Sequence, residues 1–208
     1  MKVFCIGFNK TGTTSLKKLF ENNNFKIGNQ YEYESMINYV VEDNTKVIID
    51  KIKKESGDIF YQDIPFSLPN FYIELYKNFP NSVFLLSVRD NEKLWYESLC
   101  RFHKIFFGSL NLQEIKSKNE EINRVEEIRK KYLLDIMKCD ETNPYDEDML
   151  KNRYLTHIDD CERFFRDKKN IFGKINIKNE KNTIEVLEKL LNKPILNKKI
   201  PHLNKSKY

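Results

Sequence analysis

Histidine and cysteine are scarce in this chain of 208 residues, and their placement argues against two kinds of chemistry. His103, His157 and His202 are scattered, as are Cys5, Cys100, Cys139 and Cys161, and no Cys-x-x-Cys pair is present. Neither a metal site nor a redox dithiol is expected, and the thiols read as reduced and mostly buried. Long apolar runs are missing too: nothing approaches the ~20 residues of a membrane span, and Lys2–Ile6 reads as part of the fold rather than as a signal-peptide core. A cytoplasmic location is the expectation. Glycine and proline number six each and form no linker with serine, and no internal repeat is visible, so residues 1–208 read as one domain. Arginine clusters are also lacking. The net charge of +5 is spread over lysine- and asparagine-rich segments, which argues against a nucleic-acid partner; a small polyanionic ligand explains the basic balance equally well.

What is present is an alternation of short apolar strands with amphipathic helices. Strands are predicted at Val3–Ile6, Phe25–Ile27, Ile59–Tyr61, Val83–Val88 and Ile171–Ile177, and helices at Thr13–Asn22, Glu34–Val41, Lys46–Lys54, Phe71–Asn78, Glu92–Phe107, Asn111–Cys139, Glu147–Arg166 and Asn182–Leu191. That order predicts an α/β fold of three layers, a central parallel sheet flanked by helices. The polar stretch from about residue 110 to 168 reads as a helical insertion, either a wall or lid for a ligand or a solvent-facing helical pair. Phe102, Phe106, Phe107, Tyr72 and Tyr76 recur at helical spacing and read as core, and His157 reads as a packed or surface histidine rather than a base.

The most telling stretch is the N-terminus, where an apolar strand runs into Gly7-Phe-Asn-Lys-Thr-Gly-Thr-Thr-Ser15. Gly7 and Gly12 keep the glycine spacing of a phosphate-binding loop, but Lys10 lies between them, and Thr13-Thr14 stand where a nucleotide-triphosphate loop has Lys-Ser/Thr. Gly12 lets backbone approach a ligand closely, and the first amides of the following helix attract an anion. Lys10 adds a mobile positive charge where a leaving group develops negative charge. The loop therefore suits a phosphate-like anion better than a magnesium-bound triphosphate. Thr or Ser ahead of a helix also serves as a plain cap.

Phe8-Asn-Lys-Thr-Gly-Thr-Thr-Ser-Leu16 resembles the 5′-phosphosulfate loop of sulfotransferases that use 3′-phosphoadenosine-5′-phosphosulfate (PAPS), with Asn9 in place of the usual proline. Ser82–Leu99 is similar to the second element of that family, a strand ending in arginine followed by a helix carrying a serine; by resemblance Arg89 and Ser98 hold the 3′-phosphate. Read alone, Arg89 fits a surface ion pair with Asp90 or Glu92 equally well. The ending Ile200-Pro-His-Leu-Asn-Lys205 is similar to a Phe-Pro-His-x-Asn ending of one subgroup, so the likeness runs nearly end to end. It implies a P-loop-NTPase-like fold and sulfuryl transfer from PAPS, leaving PAP, to a hydroxyl or amine of a saccharide or small metabolite, with no metal. Lys10, Thr11, Gly12, Thr13, Thr14 and Ser15 would hold the 5′ end, and Lys205, Lys198 or Lys199 would close over the 3′-phosphate.

Between these motifs, Asp63 precedes Ile64-Pro65 at the end of a strand, where many sulfotransferases place an acceptor-facing acid or histidine. Asp63 is the favoured general base; it also fits a turn carboxylate. Glu32 and Glu34 are its rivals, since heparan-type relatives use a glutamate after the first helix. Two other functions stay open: a P-loop nucleoside or small-molecule kinase, against which stands the lack of a lysine after Gly12, and a non-catalytic nucleotide-binding protein of the same fold.

Overall fold

The structure, a computed structural model, describes residues 1–112 and 119–201. Five short strands form its centre: β1 (Lys2–Cys5), β2 (Lys26–Ile27), β3 (Ile59–Tyr61), β4 (Val83–Ser87) and β5 (Phe172–Ile175). All pairings are parallel, in the order β2-β3-β1-β4-β5. Parallel strands covered on both faces carry apolar residues on both, and β1 does so: Phe4 and Ile6 enter one core, Val3 and Cys5 the other. Strand β4 repeats the pattern, with Phe84 and Leu86 on the first side and Val83 and Leu85 on the second.

The second core is closed by α1 (Thr13–Glu21) and α9 (Glu180–Leu191), through Leu16, Leu19 and Phe20 and through Ile184, Leu187, Leu190 and Leu191. The first, larger core is closed by α4 (Lys46–Lys54), α5 (Phe71–Asn78), α6 (Glu92–Phe107) and α8 (Glu147–Phe164), together with the shorter α2 (Gln30–Glu34) and α3 (Ile37–Val41). This is the three-layer α/β fold predicted from the alternation, and it is consistent with the P-loop-like fold that the resemblance implied. Because the chain crosses over β1 on its way from β3 to β4, the carboxyl edge beside β1 is the switch point at which such sheets collect ligands.

Several boundaries differ from expectation for identifiable reasons. The helix predicted at Glu34–Val41 is two, α2 and α3, broken where Ser35 Oγ donates back to the Tyr31 carbonyl at 2.9 Å. The helix predicted at Asn111–Cys139 begins later, as α7 (Glu120–Lys130), where the Asn119 side chain caps the amides of Glu121 and Ile122 at 2.9 and 3.4 Å. It then widens into a π-helical turn at Lys131–Ile136, which buries Tyr132 and Leu133. Residues 113–118 of that prediction lie outside the described residues. A further correction concerns aromatics: Tyr72 and Phe107 are buried as expected, but Phe102 and Phe106 are 41% and 47% exposed.

Gly7 marks the closest backbone approach at the carboxyl edge, since a Cβ there would lie 2.2 Å from the Ser87 carbonyl oxygen and 2.6 Å from its amide nitrogen. Backbone cannot yield as a flexible side chain would, so Gly7→Ala must force β1 and β4 apart. We expect a loss of roughly 1–3 kcal/mol of stability, the usual cost of overpacking, measured by urea denaturation.

Candidate active site

At the carboxyl edge, the loop from Ile6 to Gly12 is held from three sides. Below it, Thr11 Oγ1 donates to the Phe8 carbonyl at 2.7 Å and lies 2.6 Å from Ser87 Oγ, which turns the Thr11 hydroxyl into the fold and away from any ligand. Beside it, Trp95 Nε1 donates to the Asn9 carbonyl at 3.0 Å, and Ser67 Oγ to the Asn9 side-chain oxygen at 2.9 Å, so Asn9 ties the loop to the segment after Asp63. Underneath, helix α8 supplies His157, whose Nε2 contacts the Ile6 carbonyl at 2.7 Å while its ring stacks on Phe8 at 4.2 Å. With a carbonyl as partner, Nε2 carries the proton, and burial lowers this histidine to about 4, so it stays neutral as a support.

The loop delivers its chain into α1 through Gly12 at φ 98°, a left-handed conformation natural to glycine, under Ile177, whose Cδ1 would lie 2.3 Å from any added Cβ. No side chain caps the start of α1. The starts of α3, α4 and α5 lack such a cap as well, whereas α2, α6, α7, α8 and α9 are each capped, by Asn29, Asn91, Asn119, Asp146 and Asn179. The start of α1 is thus open to an external anion, and Gly12, Thr13, Thr14 and Ser15 all line one cavity of about 520 Å³.

Lys10, Asp63, Arg89 and Ser98 line the same cavity, so residues 88 positions apart in sequence share one space. The Arg89 Nε donates to the Lys10 carbonyl at 2.6 Å and its NH2 to Ser98 Oγ at 3.1 Å, while its own amide donates to the Tyr154 hydroxyl at 2.9 Å. Asp90 is turned away to Lys178 and Asn176, at 2.5 and 2.7 Å, which disposes of the Arg89–Asp90 surface pair. Lys10 has φ 72° and Asp63 φ 58°; two non-glycine residues in left-handed backbone at one cavity mark a constrained site. The Lys10 ammonium rests 3.6 Å from the centre of the Phe102 ring, and burial lowers its pKa against the opposing pull of Asp63.

Asp63 is buried, and burial raises its carboxyl to about 6, with hydrogen bonding from Thr13 and the charge of Lys10 pulling the other way. Glu34 is raised to about 7, again chiefly by burial. The Gln30 amide donates to both, at 2.7 Å to Glu34 and 3.3 Å to Asp63, making a bridged pair of carboxyls at the cavity wall. Glu32 lies apart: it pairs with Lys51 at 2.5 Å and does not line the cavity. Lys198 pairs with Glu188 on α9, neither it nor Lys199 lines the cavity, and Lys205 lies outside the described residues.

Sequence reasoning missed Gln30, Tyr31 and the α7 face of Arg124, Val125, Ile128 and Arg129, all of which line the cavity. The signal for the α7 face was its spacing, one helical face that mixes two arginines with aliphatics. Arg129 forms a buried pair with Glu126 at 2.6 Å and donates to the Ser109 and Asn111 carbonyls, pinning that segment to α7. Among the described residues there is no cluster of three His, Cys, Asp or Glu able to hold a metal, and no helix is long and apolar enough to cross a membrane.

Residues 2–208 match the family described as "Sulfotransferase domain". The chain belongs to the sulfotransferase family. Transfer of a sulfuryl group is therefore its class of chemistry. Among curated proteins no match was found.

The raised carboxyl of Asp63 has a consequence for stability. Its folded pKa of about 6 lies above the ordinary 3.8, so folding favours the proton: this contribution is complete below pH ~4 and is lost as pH rises through 6. Asp63→Asn should therefore melt higher than the parent protein above pH 6, by the equivalent of up to about 3 kcal/mol, with the gain vanishing near pH 4. Thermal melts across that range check it.

Proposed function

We propose that this sulfotransferase carries the sulfuryl group of PAPS to a hydroxyl or amine of a small acceptor. The observation that supports it most is the convergence of Lys10, Asp63, Arg89 and Ser98 on one cavity above the uncapped start of α1. The donor's chemical contribution is a sulfuryl group on a phosphate leaving group. The residues present suit such a donor: open first-turn amides with Thr13 and Thr14 for the 5′-phosphate, and the Arg89 guanidinium beside the Ser98 hydroxyl for the 3′-phosphate.

In this scheme Asp63 takes the proton of the acceptor as the acceptor's oxygen or nitrogen bonds to sulfur. Lys10 offsets the negative charge left on the phosphate oxygen as its bond to sulfur breaks, and PAP departs. Asp63 suits the role because its carboxyl, held near 6, is mostly ionised at neutral pH yet basic enough to accept a proton. Lys10 is poised on Phe102 rather than locked into an ion pair with Asp63, which leaves both groups free to act. The scheme needs no metal. The four unbridged cysteines accord with a cytoplasmic setting.

Calorimetry tests the donor first: PAP should bind without metal, and a protein stabilised instead by magnesium-ATP would be a kinase. Lys10→Ala should reduce turnover far more than PAP affinity, whereas Arg89→Ala should weaken PAP binding by about 1.5–3 kcal/mol. Equal losses in both variants would count against these roles. Asp63→Asn should leave PAP binding nearly intact and cut turnover roughly 10²–10⁴-fold, and the acidic limb of the parent's kcat/KM profile should fall near pH 6.

A further inference from the structure

The three exposed aromatic side chains among the described residues, Tyr31, Phe102 and Phe106, are 55%, 41% and 47% exposed, and all three line the one cavity. Large rings left in water are unusual unless a ligand covers them, and their gathering in one place is the mark of a binding surface. Phe102 and Phe106 lie 5.7 Å apart at 25°, successive rings on one face of α6. Ile64, Leu99, Val125 and Ile128 continue the wall they begin. This apolar wall suits the face of a flat ring.

Over one of these rings lies a cation that forms no ion pair among the described residues. The Arg124 guanidinium lies 3.9 Å over the Tyr31 ring and gives one hydrogen bond, from NH1 to Ser35 Oγ at 3.1 Å. Its Nε is buried with no partner. The arginine ion pairs among the described residues are Arg129–Glu126 and Arg163–Asp160, and Arg124 is in neither. Glu34 is a carboxyl whose charge bears on it, but Glu34 accepts its hydrogen bond from Gln30 and its burial favours the neutral form. Lys10 and Arg89 add positive charge to the cavity, while Asp63 and exposed Glu121 are the further acids in its lining. A guanidinium held over an aromatic face with hydrogen-bonding capacity unfilled is suited to a carboxylate.

We propose that the acceptor is an aromatic ring acid: a flat ring bearing the reactive hydroxyl or amine, seated against Phe102 and Phe106, with an anionic substituent held by Arg124. This rests on the sulfuryl-transfer scheme above and adds the class of molecule that it serves. Arg124 is then the specificity determinant, and it touches neither donor nor reacting atoms.

The test is equilibrium binding, separate from turnover, with para-hydroxyphenylacetate and its neutral amide as probes, with and without PAP. The acid should bind at least about tenfold tighter than the amide, the margin of a charge-assisted hydrogen bond. Arg124→Gln should bring the acid down to the affinity of the amide and leave the amide unchanged. Phe106→Ala should weaken both by roughly 2–10-fold, the range of a lost ring contact. Equal affinities in the parent protein, a preference that survives Arg124→Gln, or no binding of either probe to protein that binds PAP would overturn the proposal. Failure of PAP to bind would instead overturn the donor assignment, and the acid–amide comparison without PAP would still decide this one.

Discussion

The hydrogen bond from the Arg89 Nε to the Lys10 carbonyl, 2.6 Å long, joins the end of β4 to the loop after β1, and the geometry of the cavity depends on it. It fixes the backbone of Lys10 in its left-handed conformation and so decides from where the ammonium projects. It also sets the guanidinium in one plane, with the remaining edge toward Ser98. The Thr11–Ser87 hydroxyl contact one layer below repeats the tie between the same two segments, and Gly7 allows the close approach that both contacts require. Two groups proposed for opposite ends of the donor are thereby set by one another rather than by two independent pieces of the fold.

The acid side of the cavity follows a different principle. Asp63 and Glu34 come from different elements, and among the described residues neither forms a direct ion pair; the Gln30 amide bridges them instead. A neutral bridge satisfies the oxygens while leaving burial to raise both carboxyls, whereas a lysine in its place would pull them down. Glu32 shows the contrast within the same helix: two residues from Glu34, it faces solvent and Lys51.

The first strand, loop and helix were legible because their signals are local: an apolar run, glycines at fixed spacing and hydroxyl residues at a helix start. Arg89 and Ser98, nine residues apart just after β4 and on the helix that follows, were singled out by resemblance to the sulfotransferase motif, since Arg89 read alone fitted a surface ion pair equally well. Asp63 was recognisable from its strand end before proline, and the structure brings it to the same cavity as Lys10. The opposite wall was not legible. Whether Phe102 faces core or cavity depends on where α7 lies, and α7 reaches the site through tertiary packing that no local pattern encodes. The same holds for Tyr31, where a helix expected from Glu34 begins at Gln30 and carries a lining residue in its first turn.

Strand β1 is buried on both faces, and the loop proposed to hold the donor is its direct continuation, underpinned by the ring of Phe8 on His157 and by Trp95 stacked on Tyr154 at 4.7 Å. Backbone entropy at the anchor is therefore surrendered during folding and not again when a ligand arrives, so the loop meets its anion already preorganised. What binding still has to order is small: one ammonium leaving the face of Phe102. In the proposed scheme the chain keeps its mobility at the ammonium that follows a moving charge, and withholds it from the loop that only needs to hold still.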